Sequence, residues 1–413
     1  MSASSSDEDE GVLYFDWDEK LKRIKRNDPI LNSISPDGEH IHIFHMTDEK
    51  CEELGRDIAN NTHLTKVDLD YEALNDQKMS SLFRGLTRSS SIEHLELQGN
   101  HFGEEGVRCM VPFLQNANSL TDLDLSGNSI QSEGFNLMCR ALSDSPIERL
   151  YCRRCGIESI DIDSEHIPKH LQVLQLPSNV INADGYRELT KLLQGGDSTL
   201  EHLNLNNNRI DDEGVEILVG ALQNNSSMTE LDLGGNNGIS FQGEMMLLKL
   251  VNDISSIEAT LRSNHTLTCL QGLDEQIQMH IYDATWVNKQ HNPGAAGREK
   301  LIWTQLNSAR RAELAEIQGV NHSLFSEIDP LHLPEVLALV GRRHGQRELY
   351  VALKSSIAGV ISTVNEEQCI RQQMAYHAAK LEELGTRLAE IGAAEVGGVH
   401  VGSDSRSIKK RRV

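Results

Sequence analysis

Residues Leu120 to Ile130 read LTDLDLSGNSI, and their skeleton is L-x-x-L-x-L-x-x-N-x-I. Versions of it begin at Leu64, Ile92, Ile147, Leu171, Leu200 and Met228, so successive starts step by 28, 28, 27, 24, 29 and 28 residues. A period of this length marks a solenoid, whose units bury their apolar faces only by stacking on one another. The L-x-x-L-x-L part predicts a short strand, because alternate residues of a pleat point to one side. The second half of each unit has helical spacing. Met79/Leu82/Leu86, Val107/Met110/Leu114, Phe135/Met138/Leu142, Tyr186/Leu189/Leu193 and Val215/Leu218/Leu222 each step by three then four residues, one helix face apiece. Helices are wider than strands are far apart, so the stack must curve with its strands inside.

Two further positions recur. Asn100, Asn128, Asn179, Asn208 and Asn236 stand where the chain leaves the strand. A buried amide there both donates and accepts, and satisfies turn groups the sheet no longer pairs. Gly106, Gly134, Gly185, Gly214 and Gly243 open the helical halves, where close approach to the strand is expected. These D/E-x-G entries in repeats of about 28 residues resemble the ribonuclease-inhibitor-like subfamily of leucine-rich repeat proteins, over roughly residues 40 to 275. The resemblance implies an α/β horseshoe, a leucine-rich repeat solenoid with a parallel concave sheet and outer helices.

Three units depart from the pattern. Repeat one has Glu72 at the Asn position and Lys78 at the Gly position, and repeat seven carries one extra residue in NNGI. Repeat four has Cys155 for Asn, Asp161 for Gly, and Pro168 where a helix should run, so an irregular or very short outer segment is expected there.

The seven repeats span 64–256. Ahead of them, 1–35 mix the acidic run Asp7–Glu10 with the basic cluster Lys20, Lys22, Arg23, Lys25 and Arg26, which reads as a flexible charged arm. Residues 36–63 hold HIHIFHM, a strand pattern, and TDEKCEELGRDIANN, a helical one, and make an N-terminal cap. After the repeats, 257–280 supply a C-terminal cap with a strand over Leu267 to Leu273. Residues 281–400 form a small α-helical C-terminal region, and 401–413 a basic tail. In its last helix Ile370, Met374, His377, Leu381, Leu384, Leu388 and Ile391 make an a/d seam that packs on its neighbours or self-associates. NHTL, LPEVLALVGR and a leucine/tyrosine helix look like the tails of leucine-rich repeat proteins of microalgae such as diatoms, which assigns no activity.

Composition narrows the partners. The 413 residues carry a formal net charge of −23, and 64–256 alone hold 29 Asp+Glu against 14 Lys+Arg. Such a surface repels phosphate backbones, so nucleic acid is not expected on the solenoid. A protein partner, with a basic segment that associates in a salt-sensitive way, fits better. No apolar run reaches the 18 residues of a transmembrane helix, and MSASSSDEDEG lacks the regions of a secretory signal. Seven scattered cysteines suit reduced thiols and a cytoplasmic chain, while Lys409–Arg412 resembles a nuclear localisation signal and leaves the nucleus open. The triplets at Asn60, Asn225 and Asn264 are then incidental glycosylation matches.

The strand residues beside the leucines are free for function. Asp68, Asp70, Glu96, Asp122 and Asp124 form an acidic zone, and repeat four adds Arg149, Tyr151, Arg153 and Arg154, with Arg and Tyr favoured at interface hot spots. These nine are the candidate partner-binding residues; charge reversal at Asp122 and Asp124, or truncation at Arg149 and Tyr151, should weaken partner capture. Against this stands a plain solvated polar face. Cys152, Cys155, His166 and His170 have zinc-finger-like spacing, C-x2-C-x10-H-x3-H. Cys152 falls in a core leucine slot and Cys155 in the asparagine slot, so no metal is expected. NPGAAGREK reads as a loop before a helix rather than an anion site. No catalytic motif is present, so the expectation is a non-enzymatic scaffold or adaptor without a cofactor, binding partners on the concave face. The alternatives are a GTPase-activating-like regulator of a small GTPase, since Ran GTPase-activating proteins share this repeat subfamily, and, more weakly, a zinc-dependent enzyme.

Overall fold

The computed structural model describes residues 17–35, 43–161, 168–194, 198–301 and 308–320. The chain divides into two units, Met1–Leu301 and Ile302–Val413. The first is a leucine-rich repeat solenoid. Nine strands form one open sheet in chain order, every neighbouring pair parallel: β1 (Ser33–Ile34), β2 (Lys66–Asp68), β3 (His94–Glu96), β4 (Asp122–Asp124), β5 (Arg149–Tyr151), β6 (Val173–Gln175), β7 (His202–Asn204), β8 (Glu230–Asp232) and β9 (Cys269–Gln271). The register follows the repeat, with Val67, Leu95, Leu123, Leu150, Leu174, Leu203, Leu231 and Leu270 paired in one column. All are buried.

Helices form the other layer: α1 (Trp17–Lys25), α2 (Asp48–Asn60), α3 (Asp76–Gly85), α4 (Glu104–Leu114), α5 (Gln131–Ala141), α6 (Ala183–Leu193), α7 (Asp212–Leu222), α8 (Phe241–Asn252), α9 (Ile257–Arg262), α10 (Glu275–Gln290) and α11 (Pro293–Lys300). The helical trios picked out by spacing, from Met79 to Leu222, are buried without exception. Burying one such side chain contributes roughly 1.5–3 kcal/mol, so each repeat is held mainly by its apolar contacts with the next.

The asparagines form the expected ladder. Asn236 Nδ2 donates to Leu205 O and Leu233 O at 3.0 and 2.7 Å, while its Oδ1 accepts the N–H groups of Asn208 and Ile210 at 3.0 and 3.1 Å. In repeat one, buried Glu72 accepts the Ile43 N–H at 3.1 Å, which fits a unit that meets the cap rather than another repeat. Lys78 likewise reaches back to Met46 O at 2.5 Å and Asp48 at 3.2 Å. The helix-opening glycines make their close approach elsewhere than to the strand. A Cβ on Gly243 would lie 2.4 Å from Asp212 Oδ1 at the start of the preceding helix and 3.0 Å from the Ile239 side chain.

Three expectations change. Residues 1–35 are not all a flexible arm, since 17–25 fold into α1 and 33–34 into the first strand. Ile24 is buried, Lys20 Nζ donates to Ser35 O at 2.9 Å, and Lys25 pairs with Glu53 at 2.6 Å. The basic cluster is thus engaged in folding, which a count of charges does not register. The strand expected in HIHIFHM is a 3-10 turn at Ile43–His45, with 36–42 outside the described residues. And α10 packs on α8 and β9, so the helix after the last strand takes the place a next repeat's helix would have.

Repeat four is irregular, as its proline and missing asparagine imply. Among the described residues between β5 and β6 there is no helix. In the second unit the described residues hold α12 (Ser308–Gln318). The helices expected further on, the a/d seam and the tail Lys409–Arg412 lie outside the described residues. No helix among those described is long and apolar enough to cross a membrane.

Candidate functional site

The parallel register sets the candidate residues in rows across the sheet. Lys66, His94, Asp122 and Arg149 form one row, and Asp68, Glu96, Asp124 and Tyr151 the next. Each leucine between them faces the core, so these side chains point to the open face.

In the first row, charge is matched along its length. Asp122 stands between His94, whose Nδ1 lies 3.1 Å from Oδ2, and Arg149, whose guanidinium is 2.8 Å from Oδ1; Thr121 Oγ1 donates to it at 2.7 Å. Lys66 pairs with Glu96 at 2.9 Å. Asp122 and Arg149, two residues expected to meet a partner, therefore meet each other.

The carboxylates of Asp68, Asp70 and Asp124 are handled differently. No cation pairs with them among the described residues. Asp68 accepts from Ser35 Oγ at 3.0 Å and from its own turn, the Asp70 N–H, at 3.1 Å. Asp70 accepts the Gln98 N–H at 2.6 Å, and Asp124 the Ser126 N–H at 2.7 Å. Burial drives the Asp70 carboxyl up to about 7, against the pull of the Gln98 N–H, and the charges of Asp68, Asp124 and Glu96 push the same way. Burial also raises Asp124. One oxygen each of Asp68, Asp70 and Glu96 lies within 4.8 Å of the others, although the Lys66 ammonium already occupies Glu96.

Repeat four bounds this patch. Tyr151 is half-buried, and burial followed by the Asp122 charge raises its phenol. Arg153 and Arg154 are exposed, and neither makes an ion pair among the described residues. The zinc-like set is not gathered at one surface. Cys152 and Cys155 are fully buried while His170 is exposed, and His166 lies outside the described residues. Cys155 Sγ donates to Leu125 O at 3.3 Å, as a ladder side chain would, and burial, then its neighbour Cys155, pushes the Cys152 thiol well up. NPGAAGREK is not the loop expected before a helix but helix α11 itself, Pro293–Lys300, with Asn292 capping the Ala295 N–H at 3.0 Å.

One candidate escaped the reading of the sequence. The residue just before the ladder position has positive φ in every repeat: Tyr71 57°, Gly99 67°, Gly127 72°, Arg154 53°, Ser178 59°, Asn207 52° and Gly235 70°. Glycine suits that left-handed backbone and a tyrosine does not. Tyr71 nonetheless sits there 59% exposed, at the rim of the carboxylates. The signal was available, because LQGN and LSGN place a glycine at the offset where LDYE places a tyrosine.

The remainder of the face carries fewer carboxylates, Glu230 and Asp232 on β8. Gln175, Asn204 and Asn206 occupy β6, β7 and the turn after β7, and a shallow cavity of about 140 Å³ lies over His202, Asn204, Glu230 and Gln271.

A family model described as leucine-rich repeat matches residues 88–111, 116–135, 196–219 and 224–243. Repeats one, four and five lie almost wholly outside those spans, although the last of these keeps its asparagine, Asn179. No curated protein matches the chain. Among solved structures, actin-binding site 2 of leiomodin-1 is 14% identical with a TM-score of 0.24, covering 73% of this chain and 99% of that one. The internalin inlF of Listeria monocytogenes strain 4b F2365 is 19% identical with a TM-score of 0.34, covering 55% of this chain and 54% of its own. Internalin C2 of the same strain is 19% identical with a TM-score of 0.31, covering 56% and 80%.

Proposed function

We propose that this protein is a non-catalytic scaffold or adaptor that holds a protein partner against the open face of strands β2 to β5, with a basic segment of that partner on the carboxylates. The observation that carries this reading is that Asp68, Asp70 and Asp124 have no ion-pair partner among the described residues. The Lys66 and Arg149 cations pair with Glu96 and Asp122, and Asp70 is held at about 7 by burial and like charge. A carboxyl in that state gains from an incoming ammonium or guanidinium, which relieves the repulsion its own neighbours impose. Arg149, Tyr151, Arg153 and Arg154 border the patch and set where a cationic segment stops.

Hexalysine titrated into the whole protein tests this reading. The double variant Asp70→Asn/Asp124→Asn should weaken binding about tenfold, the effect of losing roughly 1.4 kcal/mol of charge contacts. The charge-matched control Glu133→Gln/Glu216→Gln, on the exposed sides of α5 and α7, should leave it within twofold. Equal loss in both variants would mean that hexalysine reads only the net charge, and the face would have no claim to be a site.

A further inference from the structure

Resting on that reading of the face, we infer that Tyr71 is its specificity-determining residue, an exposed aromatic plate that takes an arginine side chain of an extended partner segment seated between Tyr71 and Arg154.

Three features hold Tyr71 in place before any partner arrives. Its N–H donates to Gln98 O at 2.8 Å, and Gln98 Nε2 donates to its hydroxyl at 2.5 Å. Its ring lies on Gly99, where a Cβ would come within 2.3 Å of ring carbon Cε1. One ring face is thus set on glycine backbone while the residue remains 59% exposed. A large side chain in the left-handed region costs on the order of 1 kcal/mol, and Tyr71 keeps it with the ring resting on Gly99 and most of the residue left in solvent. An immobilised tyrosine loses little entropy on binding, the property that makes tyrosine an efficient contact residue.

The same row of turns supplies the seat. After Tyr71 come Gly99 and Gly127 and then Arg154, so at this position the two central turns carry no side chain of their own. From Gly99 to Arg154 is two strand steps, roughly 10 Å at the usual spacing, enough for one extended chain. Charge complementarity fixes the partner's chemistry. The Tyr71 end adjoins Asp70, which the Gln98 N–H ties to the same turn, while Arg154 and Arg153 repel a cation at the other end. A guanidinium fits this pairing better than an ammonium, because its plane stacks on an aromatic face while its edge donates to carboxylates.

The test compares hexa-arginine with hexalysine on the whole protein by calorimetry at fixed salt. Wild type should prefer hexa-arginine about fivefold, the scale of one exposed cation–π contact. Tyr71→Ala should bring that ratio below twofold, and Tyr71→Phe should keep it. Arg154→Glu should tighten both peptides, because it turns a repelling end into an attracting one. Circular dichroism melts confirm that each variant is folded, and a variant that is not is replaced by Tyr71→Gly, which suits the backbone. A wild-type ratio near one, or a ratio that Tyr71→Ala leaves intact, overturns the role of Tyr71 while the carboxylate reading stands. If neither peptide responds to Asp70→Asn/Asp124→Asn, the carboxylate reading fails, and this inference with it.

Discussion

The sheet has two halves built on one skeleton and finished differently. From β3 to β4 and from β6 to β8 the buried leucine column and the asparagine ladder repeat without a break, and β2 joins them with Val67 and Glu72 in those places. On the open face, the second row reads Asp68, Glu96, Asp124 in the first half and Gln175, Asn204, Asp232 in the second. Between the halves, repeat four keeps its strand, and among the described residues its connection to β6 holds no helix. The core therefore asks little of the face beyond polarity, and the turn bond that Asp68 and Asp124 accept from the residue two further on is met in the second half by Asn204 and Asp232, one of them uncharged. The charges of the first half destabilise if anything, since Asp70 is raised by burial and by its neighbours.

The sharpest way to break that division is to cut the shared skeleton. Asn236→Ala removes donors from Leu205 O and Leu233 O and acceptors from Asn208 N–H and Ile210 N–H, all inside the turn stack. Leaving buried backbone groups unmatched costs about 1–3 kcal/mol each before relaxation, so urea unfolding should show a loss of about 3 kcal/mol. Asn206→Ala, in the adjacent repeat, removes only a face residue and should cost under about 0.5 kcal/mol. Equal losses would mean that face and skeleton are not separable.

A smaller effect, of opposite sign, comes from transplanting the face. In the background Asp70→Asn/Asp124→Asn, adding Gln175→Glu and Asn204→Asp places two carboxylates further along the row of Asp124, in the second half. Hexalysine affinity should recover about tenfold, to within threefold of wild type, by the same charge arithmetic. No recovery would show that the first half contributes more than charge, which would place the weight on Tyr71 and its glycine turns.

The skeleton was legible because it is periodic. Leu120, Leu123, Leu125, Asn128 and Ile130 each have a counterpart a repeat away, and one reading of their roles applies to most units. The departures at Pro168 and Cys155 were equally legible, as failures of that period. What stayed hidden was whatever depends on a neighbour's choice of partner. Nothing in the order of residues says that Asp122 is flanked by His94 and Arg149 while Asp70 has no cation. Nor does the charge pattern of Lys20 to Arg26 reveal a helix, because Ile24 and the stem of Lys20 are too short an apolar signal to stand out. Tyr71 was hidden by its own irregularity, in one of the two repeats that lack the asparagine.

The mildest test of the two halves is a titration. Asp70 has a folded-state value of about 7 against an ordinary 3.8, a raised carboxyl. Between those values the native chain binds a proton that the unfolded chain has released, so the slope of stability against pH is negative there. The stabilising contribution is complete below about 3.8 and lost as pH rises through about 7. Solvent around this half-buried group screens much of the shift. Asp70→Asn keeps an oxygen for the Gln98 N–H and removes the charge, so it should match wild type at pH 4 and melt about 2 °C higher at pH 8, the scale of a fraction of a kcal/mol in a chain this size. Asn204→Ala in the second half removes no titrating group and should shift the melting curve equally at both pH values. A cationic partner works against the raised value, because its charge favours the ionised carboxyl. Hexalysine should therefore bind more tightly at pH 8 than at pH 6 and release protons as it binds near pH 6.5, measurable as a dependence of the calorimetric heat on buffer ionisation enthalpy. Binding that is indifferent to pH in wild type, or as pH-dependent in Asp70→Asn as in wild type, would separate Asp70 from the site.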